Sequence, residues 1–225
     1  MILTEITARD IPDAWFQCIY QILDKGFSYK IQQGSFVGNK RLEFDSITIH
    51  IKHPETRPFE PDIPVSYGIP NPVTEGYIDS YLPYLMTSEK QPNEDYTYGE
   101  RIEPQLPYFI DLLKNTPNTN QAILQVARPE DFKLNDPPCL RHIDMRIREG
   151  KLIFYTYFRS WDLWGGFPAN LGAIQLLKEH MASAIGVEPG PFICYSKGLH
   201  IYSYVWELAK LRTGKTIKEF KGEEV

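Results

Sequence analysis

Cys139 stands directly behind Pro137 and Pro138 and directly ahead of an alternating stretch, Arg141-His142-Ile143-Asp144-Met145-Arg146-Ile147. Proline fixes its own backbone and drives the residue before it into an extended conformation, so the pair sets the thiol at a rigid corner where a strand begins. A thiol so placed is either a buried filler or a nucleophile being aimed. Further on, FRSWDLWGGFPANLG at 158–172 is dense in groups that could hold a ligand. Arg159 and Ser160, side by side, suit a phosphate: the guanidinium offers a bidentate fork and the hydroxyl one more donor. Asp162 and Asn170 flank Gly165-Gly166, a turn where a planar ring could approach the backbone. An asparagine has one donor edge and one acceptor edge, which matches the N3–H and O4 of a uracil ring. In GLHIYSY at 198–204, His200 and Tyr202 lie two apart, on one side of a short extended segment, where they could share a sugar hydroxyl. Each stretch alone also has a purely structural reading. The first could be a surface turn with an Arg–Asp pair and core tryptophans, the second a satisfied core histidine beside a packed tyrosine.

The elements that must position these groups are partly visible. Asp10-Ile11-Pro12-Asp13, the apolar residues from Ala14 to Leu23 and then Gly26 predict a helix with a proline and an acid in its first turn and a glycine stop. Leu42 to Ile51 alternates as a half-buried strand with a break near Asp45-Ser46. The prolines between 54 and 72 predict an ordered irregular loop. Helices are expected at about 74–87 and 102–115 and a buried strand at 121–127. Two strands, 141–148 and 151–158, are joined by the turn Glu149-Gly150. A long helix over about 168–185 stops at Gly186, followed by a strand near 191–195 and a closing helix near 203–212. Hairpin strands mixed with helices predict an α+β fold with one large sheet.

The chain of 225 residues, 42% hydrophobic, suffices for one core, and a single domain over 1–225 is expected. With 24 basic and 29 acidic side chains the net charge is −5, so nothing global calls for DNA or an anionic membrane. Cys18, Cys139 and Cys194 show no CxxC spacing, which argues against a disulfide framework and a structural zinc site and favours the cytoplasm. No targeting segment and no transmembrane run is read in the chain, and no metal site is expected.

In order, PPC, RSxD, GxPxN and HxY form the layout of the thymidylate synthases, and the chain resembles that family from its first helix to about residue 212. Tyr98-Gly99 is similar to the family's YG before a dimer-side helix, and Leu113-Lys114-Asn115-Thr116-Pro117-Asn118-Thr119 to its LKxxPxS stretch. The short length resembles the compact archaeal-type branch. The resemblance implies a large mixed β-sheet with packed helices, one sheet face used for dimerisation, and a methyltransferase that converts dUMP to dTMP. It makes Cys139 the nucleophile, adding as thiolate to C6 of uracil, with its pKa lowered by nearby cations such as Arg159 and Arg141. Arg159 and Ser160 become phosphate ligands, Asn170 the reader of the pyrimidine edge, and His200 and Tyr202 the holders of the deoxyribose hydroxyl. Asp162 and Gly166 match the positions that meet the pterin and the ring, and Tyr98 a tyrosine of the proton-transfer network. The one-carbon donor implied is 5,10-methylenetetrahydrofolate or 5,10-methylenetetrahydromethanopterin, and the expected assembly is a homodimer.

The chain departs from the family pattern at named positions. Leu140 replaces the histidine after the cysteine, Phe158 the glutamine before the arginine, and Asn120-Gln121 the two arginines given across the dimer. Arg41, Arg57 and Arg128 are candidates for the missing phosphate charge, and Glu60 and Glu75 for a catalytic glutamate. The related deoxycytidylate hydroxymethylases carry aspartate at the position of Asn170, so asparagine favours uracil. A pyrimidine hydroxymethylase and a non-catalytic nucleotide-binding relative are the alternative readings.

Overall fold

The computed structural model describes residues 1–92 and 94–216. After β1 (Leu3–Ala8) comes α1 (Ile11–Lys25), capped by Asp10, whose carboxylate accepts the Asp13 N–H at 2.9 Å. Gly26 ends α1 through close packing: a Cβ there would lie 2.7 Å from Leu42 Cγ. The predicted strand from Leu42 to Ile51 is two strands. β2 (Phe27–Lys30), β3 (Lys40–Glu43) and β4 (Ser46–Ile51) follow α1, with the break where it was expected. Residues 54–72 are irregular apart from one 3-10 turn at Val65–Tyr67.

The next helices are α2 (Tyr77–Met86), α3 (Tyr98–Ile102) and α4 (Leu106–Asn115). A 3-10 stretch at Glu103–Gln105, which contains Pro104, divides the helix expected at 102–115, and Tyr98-Gly99 lie inside α3 rather than ahead of a helix. Then come β5 (Ile123–Gln125), β6 (Leu140–Arg148) and β7 (Lys151–Phe158), the last two joined by Glu149 and Gly150 at φ 51° and 72°, as a type I′ hairpin turn requires. The chain closes through β8 (Trp161–Asp162), α5 (Gly166–Ile185), β9 (Glu188–Ser196), β10 (Leu199–Tyr202) and α6 (Trp206–Thr213). Residues 217–225, part of the span expected as one domain, lie outside the described residues.

Six strands form a mixed sheet in the order β1-β4-β9-β7-β6-β5, and four form a smaller one in the order β2-β3-β10-β8. Three strands of the small sheet continue strands of the large one through two-residue joints. β3 runs into β4 across Phe44-Asp45, β7 into β8 across Arg159-Ser160, and β9 into β10 across Lys197-Gly198. The triples β4-β9-β7 and β3-β10-β8 keep the same order, so the two sheets are one surface folded along a crease. Backbone bonds hold the crease: Phe44 N–H donates to Leu199 O at 2.9 Å and Trp161 N–H to Gly198 O at 2.8 Å. Gly198 permits this contact, since a Cβ would sit 2.8 Å from Arg159 O.

The alternation along β6, β7 and β9 buries Ile143, Met145, Phe154, Phe158, Phe192 and Cys194 on the helix side. α1 and α5 cover that face, with Trp15 and Phe167 fully buried; each such aromatic contributes roughly 2–3 kcal/mol relative to exposure. One cluster of buried apolar side chains extends from Ile6 to Ala209, Cys18 and Cys194 included. The opposite face carries His142, Tyr155, Tyr157, Ile193 and Tyr195 around a shallow hollow of about 390 Å³. Among the described residues, no helix is long and apolar enough to cross a membrane, and no group of three or more metal-ligating side chains occurs.

Candidate functional site

Cys139 is half-buried at the entrance to β6, and the peptide groups around it are tied down. Its carbonyl accepts the Arg159 N–H at 2.9 Å, and the next amide, Leu140 N–H, donates to Tyr98 Oη at 3.3 Å. The Arg159 side chain returns to the same corner. Nε donates to the carbonyls of Pro137 and Pro138, each at 3.2 Å, while Nη2 donates to Pro137 O and, at 2.8 Å, to Asp136 Oδ1. Arg141 adds a bond from Nη1 to Pro138 O at 3.1 Å.

Burial has the largest effect on the thiol and pushes the Cys139 pKa up; Arg159 pulls it down, Asp136 pushes it up, and Arg41 and Arg141 pull it down. The expectation of a lowered thiol pKa is therefore corrected. The cations are present, but desolvation outweighs them.

Register across the small sheet sets Tyr202 opposite Arg41 and His200 opposite Glu43. Arg41 Nη2 donates to Tyr202 Oη at 3.1 Å, and Tyr29 Oη donates to Glu43 Oε2 at 3.0 Å. His200 is 1% exposed; burial and then Arg41 hold its pKa down to about 3, so the ring is neutral. Its Nδ1 faces Gly198 O at 2.8 Å, and a carbonyl can only accept, so Nδ1 carries the hydrogen and Nε2 is left as an acceptor. Among the described residues, neither His200 Nε2 nor Arg41 Nε, both buried, has a protein partner. A hydroxyl would satisfy the first and an anion the second.

Asp162 folds the glycine turn onto itself by accepting N–H groups from Gly166 at 2.9 Å, Gly165 at 3.0 Å and Trp164 at 3.3 Å. Burial nonetheless leaves its pKa raised. Asn170, one turn into α5, accepts Trp161 Nε1–H at Oδ1, 3.0 Å, and donates from Nδ2 to Tyr81 Oη at 2.9 Å. A cleft of about 470 Å³ opens here, lined among others by Pro72, Tyr77, Tyr81, Asp162, Gly166 and Asn170. Flat rings, a carboxylate and an exposed backbone turn suit a reduced pterin. Tyr81, Tyr84 and Tyr98 follow one another with ring centroids 5.4 Å apart at each step, the first pair tilted and the second T-shaped, and the Tyr81 and Tyr98 hydroxyls tie the row to Asn170 and to the Leu140 amide. Burial raises the pKa of all three, Tyr84 to about 12, so each is a neutral hydroxyl.

The structure thus gathers Cys139, Tyr98, Arg159 and Ser160 at the crease, with His200 and Tyr202 on the adjoining strand and Asp162, Gly166 and Asn170 around the cleft. Arg41 joins them. Arg57 does not: it forms a bidentate pair with Glu179 at 3.0 and 2.8 Å, and Arg128 is exposed beyond β5. Glu60 is half-buried in the irregular segment and Glu75 exposed ahead of α2; the carboxylate within the polar cluster is Glu43. Sequence reasoning missed Glu43, Tyr81 and Tyr84. The spacing of Tyr77, Tyr81 and Tyr84 on one helix face could have revealed the tyrosines, whereas Glu43 emerges only from strand register.

A creased, mixed α+β sheet with a cysteine set among arginines at its crease defines one architectural class. The sequence profile of the thymidylate synthases matches residues 84–221. A Methanosarcina acetivorans protein provisionally named a thymidylate synthase is 30% identical over 91% of this chain and 92% of its own length. A similarly named Methanopyrus kandleri protein is 31% identical over 88% and 92%. The thymidylate synthase of human herpesvirus 8 is 33% identical over 58% of this chain and 39% of its own. The chain belongs to the thymidylate synthase family.

Proposed function

We propose that the protein is a thymidylate synthase acting on dUMP. The observation that carries this reading is the Cys139 corner, where a thiol is fixed through both neighbouring peptide groups and the Arg159 and Arg141 side chains bind the carbonyls of Pro137 and Pro138 just ahead of it. In the reaction, the Cys139 thiolate would add to C6 of the uracil and the negative charge move to C5, which would take up the new carbon and give up its hydrogen as a proton; hydride would then reduce the new carbon to methyl as the thiolate leaves C6. A methylene-tetrahydropterin, 5,10-methylenetetrahydrofolate or 5,10-methylenetetrahydromethanopterin, supplies that carbon and the hydride. Asp162 and Gly166 would border it in the cleft, and Tyr98 would move a proton at the pyrimidine. Arg159, Ser160 and Arg41 would hold the phosphate, and the free acceptor of His200, beside Tyr202, would take the sugar hydroxyl.

Asn170 supports uracil over cytosine. Trp161 Nε1–H can only donate, so the amide oxygen must face it, and the amide orientation is fixed. Release of the C5 hydrogen of dUMP into water tests the reading, since it needs only addition at C6. Equal rates for wild type and Cys139→Ala would overturn it, and a hydroxymethyl product from dCMP would overturn the substrate. The raised thiol pKa favours one alternative, a nucleotide-binding relative without turnover; dUMP binding with no exchange at any pH would establish it.

The half-covered aromatic face of the large sheet, where Tyr157 and Tyr195 stack at 5.3 Å, supports a homodimer joined through that face, which sedimentation would test. The free thiols Cys18 and Cys194, both buried, suit the reducing cytoplasm as the place of action of this one-domain enzyme.

A further inference from the structure

The guanidinium assigned to the phosphate is not waiting open. Asp136 occupies it, with Oδ1 2.8 Å from Arg159 Nη2. The other carboxylate oxygen, Oδ2, accepts the Ser35 hydroxyl at 2.7 Å, across 101 residues of chain. Ser35 belongs to the loop between β2 and β3, and two further features seat that loop on the site. A Cβ added at Gly34 would only touch Asn135 O, at 4.0 Å, and Phe36, with a left-handed φ of 65°, lays its ring 4.6 Å from that of Tyr202. A non-glycine residue holds φ > 0 only when its surroundings impose it. One carboxylate therefore clasps Arg159 and the 31–39 loop together, over both the candidate phosphate site and the candidate sugar site.

We propose that Asp136 is an internal stand-in for the substrate phosphate. Its carboxylate takes one bond from Arg159 Nη2 in the free protein, beside those that Nε and Nη2 give to the Pro137 and Pro138 carbonyls, and an incoming phosphate must displace it, releasing Ser35 and with it the loop that carries Phe36. Displacement sets affinity: the phosphate competes with a tethered anion, so part of its interaction with Arg159 is spent breaking the Asp136 pair. The clasp also discriminates. A ligand without a phosphate makes no bond to Arg159, so it neither displaces Asp136 nor gains from its removal. This inference rests on the reading of Arg159 as a phosphate ligand; its Asp136–Ser35 clasp is additional to that reading.

The test is calorimetric binding of dUMP, deoxyuridine and inorganic phosphate to wild type, Asp136→Asn and Ser35→Ala. Asp136 is exposed, so its amide variant is expected to fold, which circular dichroism checks. Asp136→Asn should bind dUMP and inorganic phosphate about tenfold more tightly, with deoxyuridine unchanged; Ser35→Ala should shift both anions in the same direction by less. In turnover, Asp136→Asn should lower KM for dUMP. Unchanged or weaker anion binding by Asp136→Asn makes Asp136 a positioning residue for Arg159 and overturns the proposal, as does equal tightening of deoxyuridine. If dUMP binds neither protein while inorganic phosphate still binds the variant more tightly, the synthase reading fails and the stand-in remains. If inorganic phosphate binds neither, the stand-in fails.

Discussion

The indole nitrogen of Trp161 lies 3.0 Å from the side-chain oxygen of Asn170, and the amide nitrogen of Asn170 lies 2.9 Å from the Tyr81 hydroxyl. The amide is held at both ends, so its donor and acceptor point in fixed directions. Replacing Asn170 by Asp removes the donor, and exchange of the C5 hydrogen of dUMP should fall by about 10²–10³-fold while that of dCMP rises. Trp161→Phe keeps a ring to stack on Phe158, now 3.9 Å away between centroids, but frees the amide. It should weaken dUMP binding by about tenfold and narrow the preference over dCMP. Exchange assays with both nucleotides measure each effect.

Three arginines compete for the part left open by Asn120-Gln121, and the structure separates them. Arg41→Gln should raise KM for dUMP by at least about tenfold, because a charged donor to phosphate is lost. Arg57→Gln and Arg128→Gln should leave KM as it is, Arg57 being committed to Glu179. Steady-state kinetics on the three variants decides this, and a KM rise confined to Arg57 or Arg128 would move the phosphate elsewhere.

Cys139 should alkylate as a hindered, weakly acidic thiol. Burial carries its pKa above the ordinary 9.0, so the iodoacetamide rate in the free protein should still be rising at that pH. Removing a cation with Arg159→Gln should push the midpoint higher. A rate that levels off below pH 8 would contradict the desolvated site.

Lys178 gives the fold a pH dependence of its own. It is fully buried on α5, 3.6 Å from the Phe192 ring centroid, with its ammonium hydrogen-bonded to Gly190 O, and burial drives its pKa from 10.5 to about 7. Because the folded-state pKa is the lower one, the unfolded chain binds more protons between pH 7 and 10.5 and stability rises with pH through that window. The cost of the charged form is present in full below pH 7. Thermal unfolding should show Tm climbing above pH 7 in wild type, with a flatter profile and a higher Tm at pH 6 in Lys178→Met. A flat wild-type profile would mean that Lys178 stays charged when folded.

Much of this molecule was legible in one dimension, for local reasons. Asp10 and Pro12 announce α1, Glu149-Gly150 dictates the hairpin, and Asp45 marks the break in the run that becomes β3 and β4. The candidate motifs could be read in order because Cys139, Arg159-Ser160, Asp162, Asn170 and His200-Tyr202 fall within one stretch of the chain, from the start of β6 to β10. What stayed hidden depends on pairing. β1 buries Thr4, Ile6 and Ala8, a face with one large apolar residue, so its alternation is faint. Arg41 could be proposed as a cation, but its place beside Tyr202 follows only from the register of β3 on β10. The direction of the thiol shift depends on how much solvent is excluded, which no spacing encodes.

The crease sets a rule of parity on the chain. Side chains alternate across a strand, so a residue added to or removed from any of the three joints would turn everything beyond it inside out until a bulge absorbed the error. In the Lys197-Gly198 joint, that would point His200 and Tyr202 away from Arg41. In the Arg159-Ser160 joint it would move the proposed phosphate donors themselves. The seam can therefore be lengthened only in steps of two, and the candidate site is specified as much by counting residues as by which residues they are.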